Sequence, residues 1–247
     1  MWPELFYWVY ARHPALLQWL PIVYICRTMM KSEWYTNRTW SGEIDAKFEK
    51  YLKHTRDPAN KAAYMQLQGG LLLDNNQQNV QDVGVGLLSR VIEDYPLEHT
   101  SVILAQEKLG DYYLRQQYFE RAAHFFKVVV KYCKAQNSRS GTSTIADLKL
   151  AEALVRNGKD DQLEASYKLI KDYPAELLKL MDNKFYYTQL AAQVCDVLHK
   201  DVEAKEFAVA ALALPQIIKP VIKGNKLAVA TKLAGRQLKA IQEIAAP

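Results

Sequence analysis

Along most of this chain, apolar residues recur at three- and four-residue intervals. Short polar or proline-bearing stretches interrupt them at helix-length spacing, the pattern of amphipathic helices joined by brief connections. Three segments share one ending: Ser89-Arg-Val-Ile-Glu-Asp-Tyr-Pro96, Phe126-Lys-Val-Val-Val-Lys-Tyr-Cys133 and Tyr167-Lys-Leu-Ile-Lys-Asp-Tyr-Pro174. Their tyrosines, Tyr95, Tyr132 and Tyr173, recur at steps of 37 and 41 along the chain. Each segment reads as the end of a helix stopped by a proline or a loop, and each follows another helix-length pattern. The unit is therefore a pair of helices repeating with a period of roughly 39 residues.

The clearest unit spans residues 103–134. Leu109, Gly110 and Tyr113 fall on its first helix, and Ala122 and Phe126 on its second, after Phe119-Glu-Arg. Small residues at Gly110 and Ala122 let paired helices approach, while Tyr113 and Phe126 fill the space beside them. This spacing resembles the tetratricopeptide consensus, L-G-x2-Y followed by Y-x-x-A-x3-F. The family's terminal proline is absent here; Lys134 opens a polar loop, KAQNSRSGTST, instead. A second match carries Leu190, Ala191 and Val194, then Phe207 and Ala210, and closes at Pro215, with Ala204 one place off the consensus. Looser units carry Gly70, Leu73, Gly84, Leu88, Val91 and Pro96, and Ala151, Leu154, Ala165 and Leu169.

The expected fold is all-α, a right-handed α-solenoid of antiparallel tetratricopeptide-like helix pairs with a helical cap at each end. Residues 57–215 form about four pairs in this reading. Residues 1–56 are an aromatic-rich N-terminal helical cap, and residues 216–247 a basic C-terminal capping helix. The C-terminal cap rests on the stripe Leu227, Ala230, Ala234, Leu238, Ile241 and Ala245. The N-terminal one rests on Trp40, Ile44, Phe48, Tyr51 and Leu52, whose W-x2-E-I-x3-F pattern looks like the lead-in of some uncharacterised bacterial repeat proteins.

Composition leaves this picture standing. Of 247 residues, 49% are hydrophobic and 24% charged, the balance of a globular chain, and only 10 glycines and 9 prolines are present, too few for a strand-and-turn architecture. The formal charge is +5, yet the segment 1–215 is neutral; the excess comes from six bases after Pro215 against Glu243 alone. A basic segment without interleaved base-contacting aromatics does not predict nucleic-acid binding. His13 to Cys26 is apolar, but Pro14 and Pro21 break it and it is shorter than the about 20 residues of a membrane span. It is also a poor signal peptide, since Glu4 precedes it and no small-residue cleavage site follows. Cys26, Cys133 and Cys195 form no CxxC motif, so a reducing, cytoplasmic compartment is expected. All five tryptophans (Trp2, Trp8, Trp19, Trp34 and Trp40) crowd the start of the chain, as a packed cap, an interface or a membrane-surface element. The sequon Asn37-Arg38-Thr39 matters only for a secreted protein.

Catalytic motifs are missing. Gly84-Val-Gly86 has Ser89 where a third glycine would stand and lies in a helix pattern, which excludes a dinucleotide loop. His13, His54, His99, His124 and His199 share no metal-ligand spacing, and His124 reads as a helix-face residue. Asp160-Asp161 after Asn157-Gly158 reads as a turn and a helix start, with acids where the helix dipole favours them. No enzyme activity, cofactor or metal is expected.

In tetratricopeptide proteins the first helix of each pair lines a concave groove that holds a partner segment. Carried over, the resemblance implies groove positions at Leu104, Glu107, Asp111, Leu114 and Arg115. In the last unit it implies Phe185, Thr188, Ala192, Cys195 and Asp196, and in the first Tyr64, Leu67, Leu71, Asp74 and Asn75. The Lys and Asn pattern of a carboxylate clamp is absent. The lining is apolar and acidic, which implies a dedicated protein partner with a basic, partly apolar surface. A bacterial immunity protein, or a chaperone or adaptor for a secreted effector, is the kind of role this implies. The alternative is a scaffold on a membrane surface, held by the tryptophan-rich start or the basic C-terminal helix.

Overall fold

The structure is a computed structural model; it describes residues 33–214 and 239–246. Among the described residues every regular element is a helix and none is a strand. They divide into two compact units, between Ser101 and Val102. No helix among them is long and apolar enough to cross a membrane.

The first unit begins with a 3-10 turn, Glu33–Tyr35, followed by α1 (Gly42–His54), α2 (Pro58–Leu72) and α3 (Gln78–Asp94). Ser41 caps α1 by accepting the Ile44 N–H at 3.3 Å, with acids in its first turn and Lys53 and His54 in its last. Asp57 caps α2, accepting from Ala59 and Asn60, and Pro58 fits the first turn, where no N–H is needed. α2 and α3 cross with backbones in contact. A Cβ at Gly69 would lie 3.0 Å from the Gly84 carbonyl oxygen, and one at Gly84 would lie 2.9 Å from that of Gly69. The glycine of α2 that meets α3 is thus Gly69. Gly86, on the same α3, has open space around it.

An aromatic cluster closes this unit. Trp34 stacks on Tyr51 at 5.2 Å and meets Tyr35, Phe48 and Tyr64, while Trp40 packs edge-on to Phe48. The buried Gln68 side chain fastens this turn: its amide donates to the Asn37 carbonyl at 2.7 Å and its oxygen accepts the Asn37 N–H at 2.8 Å. Asn37 of the sequon also donates its own amide to the Trp34 carbonyl at 3.0 Å, so it is a structural residue here.

The second unit contains α4 (His99–Arg115, whose first residues precede the division), α5 (Phe119–Ala135), α6 (Ala146–Asn157) and α7 (Asp160–Lys171). After a 3-10 turn, Ala175–Leu177, come α8 (Met181–Val197) and α9 (Asp201–Ala213). A last helix, α10, covers 239–245. A Cβ at Gly110 would fall 2.8 Å from the fully buried Phe126 ring, so a glycine is what lets α4 and α5 meet. Beside it the Tyr113 ring stacks on Phe125, 5.5 Å apart. Further along, α5 packs on α6, α6 on α7, α7 on α8 and α8 on α9.

The helices α3, α5, α7 and α9 start at Gln78, Phe119, Asp160 and Asp201, an even step of 41 from each to the next. The turns of the last three pairs keep the same step. Gln117, Gly158 and His199 all adopt positive φ (62°, 68° and 55°) and donate their N–H to the carbonyls of Leu114, Val155 and Asp196. Such a residue ends a first helix cheaply when it is glycine and at some strain otherwise. The register also aligns Gly69, Gly110, Ala151 and Ala192 as the small residues of the first helices, and Ala122 with Ala204 on the second.

The helix starts thus recur at 41, against the 39 expected from the apolar pattern. Tyr132 and Tyr173 are equivalent, whereas the position matching them in α3 is the fully buried Val91, four residues before Tyr95. Four residues are about one helical turn, so the apolar pattern looks the same in either alignment.

Candidate interaction surface

The first helices of the second unit touch one another through charged and polar side chains. On α4, Glu107 is 5% exposed, and its carboxylate accepts from both the N–H and the hydroxyl of Ser143. Lys149 of α6 binds Asp111 at 2.7 Å and lies 3.9 Å from Glu107. Across the next gap the Tyr186 hydroxyl of α8 donates to Glu152 of α6 at 2.5 Å, and Arg156 holds the other Glu152 oxygen at 2.8 Å. Burial, with Glu152 beside it, pushes the Tyr186 phenol well above its usual range, so it remains a hydrogen donor. Glu107 and Asp111 are expected from the sequence to face a partner. Here they are engaged within the chain, by Ser143 and Lys149.

The register decides which side chains flank this ladder. One step of 41 carries Asp111, Leu114 and Arg115 onto Glu152, Val155 and Arg156, and a second carries them onto Gln193, Asp196 and Val197. Five of these six positions, Val155, Arg156, Gln193, Asp196 and Val197, line one pocket of about 490 Å³, completed by Ala240, Glu243 and Ile244 of α10. Two carboxylates, Asp196 and Glu243, stand at its rim with Arg156, and Val197 is half exposed beside them.

In the same register Tyr186, Gln189 and Gln193, rather than Phe185, Thr188 and Ala192, hold the places of Leu104, Glu107 and Asp111. A shift of one residue turns a helix by about 100°, enough to change which face a side chain occupies. Ala192 and Cys195 are fully buried, and Phe185 packs in an apolar cluster with Ala208, Ala211 and Ile241. Thr188 is half-buried, its hydroxyl bonded to the Lys184 carbonyl at 3.0 Å. Leu104 and Leu114 are half-buried, Leu114 against the α4–α5–α6 core, while Arg115 and Asp196 are exposed.

In the first unit Tyr64 is committed to the aromatic cluster, stacked on Tyr35 at 4.5 Å. Leu67 and Leu71 are half-buried, Asp74 is exposed, and the Asn75 amide donates to the Arg38 carbonyl at 2.7 Å. The sequence pattern does not point to Lys149, Glu152 and Tyr186. Their signal is the 41-residue step, which becomes visible only once the turn positions are known.

Of the predicted capping stripe, Ile241 and Ala245 lie on α10, and Ile241 is fully buried against α8 and α9. Leu227, Ala230, Ala234 and Leu238 lie outside the described residues, as do the lysines from Lys219 to Lys232 and Trp2, Trp8 and Trp19. His124 is an exposed helix-face residue, edge-on to Phe125. Among the described residues no three His, Cys, Asp or Glu side chains group as metal ligands would. Cys133 and Cys195 are free and buried; burial raises both thiols, Cys195 to about 11.

Comparison of this chain with family models, with curated proteins and with solved structures finds no match.

Proposed function

We propose that the chain is a divergent, tetratricopeptide-like right-handed α-solenoid that acts without catalysis, by holding a dedicated protein partner against its first-helix face. The observation that carries this reading is the coincidence of two independent patterns. Five of the six positions that the 41-residue register makes equivalent on α6 and α8 line the pocket closed by α10. The order of packing within the second unit supports the solenoid. There each second helix lies on the next first helix, and α7 is tied to α9 where Tyr167 and Lys171 both donate to Glu203. A step of 41 exceeds the roughly 34 of tetratricopeptide repeats, which is why the likeness is one of pairing rather than of repeat length.

With Glu107 and Asp111 engaged internally, the basic partner is read at Asp196 and at the exposed Glu243, which lies 3.9 Å from the exposed Lys239. Their carboxylates beside Val155, Val197 and Ile244 suit a lysine or arginine flanked by an apolar side chain. A partner with one such segment fits an immunity protein, a chaperone or an adaptor in a reducing compartment.

The test is affinity purification of the full chain from its own host, in parallel with Asp196→Lys/Glu243→Lys. The expected result is one stoichiometric protein, retained by the parent chain and lost from the double variant. Recovery of no stoichiometric protein, or equal recovery with the double variant, overturns the reading.

A further inference from the structure

A second pocket lies wholly within the first unit, where the last turn of α1, the first turns of α2 and the end of α3 come together. It encloses about 610 Å³ and is lined by Glu49, Lys50, Lys53, His54, Lys61, Arg90 and Tyr95, with Ala46 and Leu52. Its charge is at odds with its surroundings. Residues 33–101 contain ten acids and seven lysines or arginines, yet four of those seven line this pocket and only one of the acids does.

The cations divide into two kinds. Arg90 is held in place, 2.5 Å from Glu49 and 4.0 Å from Asp94. Lys50, Lys53 and Lys61 have no carboxylate within 4.0 Å among the described residues, so three lysines line the cavity without an acidic partner. The Tyr95 hydroxyl adds a neutral donor, because burial, with Asp94 beside it, pushes its phenol above the usual range. The helix dipole accounts for Lys53 and His54 at the end of α1. It does not account for Lys61, which sits in the first turns of α2, where a cation is disfavoured.

We propose that this pocket binds a ligand carrying a multiply charged phosphate group, either a free phosphorylated small molecule or the head group of a phosphorylated lipid. Three ammonium groups around one cavity require two or three negative charges close together, which phosphate and pyrophosphate supply and a single carboxylate does not. The volume admits a small phosphorylated molecule whole.

Titration calorimetry of the full chain with inorganic pyrophosphate tests this. Saturable binding with one site per chain is expected, weakened about tenfold or more in Lys50→Ala/Lys53→Ala and in Lys53→Ala/Lys61→Ala. Lys47→Ala/Arg56→Ala, which removes two cations of the same unit that do not line the pocket, should leave the affinity within about twofold. Far-ultraviolet circular dichroism confirms that each variant is folded. Absence of saturable heat up to roughly 1 mM pyrophosphate overturns the proposal, as does equal weakening by Lys47→Ala/Arg56→Ala. Flotation with phosphatidylcholine vesicles, with and without a phosphoinositide, separates the two sources. Capture by the phosphoinositide vesicles that pyrophosphate reverses identifies a lipid head group; pyrophosphate binding without capture identifies a free ligand. Because no residue here belongs to the α6–α8 pocket, failure of this proposal leaves the partner-binding reading untouched, and the reverse holds.

Discussion

At the scale of single residues, the glycines separate into those that permit contact and those that do not. A methyl group at Gly110 would drive into the Phe126 ring, which cannot retreat from a fully buried position. Gly110→Ala is therefore expected to destabilise by up to about 2 kcal/mol: overpacking costs about 1–3 and the helix propensity of alanine returns about 1. Gly86→Ala meets open space in α3 and should stabilise by up to about 1 kcal/mol. Urea unfolding of the two variants checks both signs.

Cys195 gives a prediction in pH. Its thiol is fully buried, and burial raises its pKa from the ordinary 9.0 to about 11. The neutral form is the one the core accepts, so its contribution is whole below pH 9 and is lost as the pH climbs through about 11. Urea midpoints should fall across that window and fall less steeply in Cys195→Ala. With Cys26 replaced by alanine, the native protein should show no thiol to a soluble disulfide reagent at pH 8, about a unit below the ordinary thiol pKa of 9.0, until it is unfolded.

At the scale of elements, the connection from α5 to α6 is a fastened structure rather than a slack linker. Ser143 bonds to Glu107, Arg139 reaches Asp147 at 3.2 Å and lies over the Tyr173 ring, and the Tyr173 hydroxyl donates to the Thr144 carbonyl at 3.2 Å. Glu107→Ala removes the central anchor and should cost about 1–3 kcal/mol, because the Ser143 N–H and hydroxyl lose a charged acceptor. Limited proteolysis should then cut at 136–144 sooner than in the parent chain. Unchanged cleavage would mean that the remaining ties suffice. α10 makes the complementary case. Ile241→Asp would bury a carboxylate among Ala192, Ala208 and Ala211, and thermal unfolding should drop by several degrees or more.

At the scale of the molecule, the pairing of helices is legible in the chain, and the site is legible only in part. A recurrence of apolar residues at helical spacing, proline and polar stops, and small residues at Gly110 and Ala122 suffice to specify helices in pairs, because burying one face of each helix is a local demand written at fixed spacing. Asp196 is reached from that pattern and does line the α6–α8 pocket, although through an alignment one residue out. What the pattern does not contain is the register. An apolar stripe looks alike after a slip of four residues, and degenerate small residues such as Gly69 and Gly70, or Ala191 and Ala192, offer no choice between neighbours. The turns make that choice through hydrogen bonds to Leu114, Val155 and Asp196, which recur at the step of 41.

The fate of the charges also lies beyond the pattern. Glu107 and Asp111 read as a free acidic lining, but Lys149 of α6 is only 3.9 and 2.7 Å away from them in space. Which segments become helices, and that neighbouring helices pack on one another, follows from the chain alone, since those demands are satisfied between neighbours in sequence. Which carboxylates are neutralised, which cations are left to gather between α1, α2 and α3, and which faces stay open are settled in three dimensions, because each of those depends on what the folded chain brings alongside.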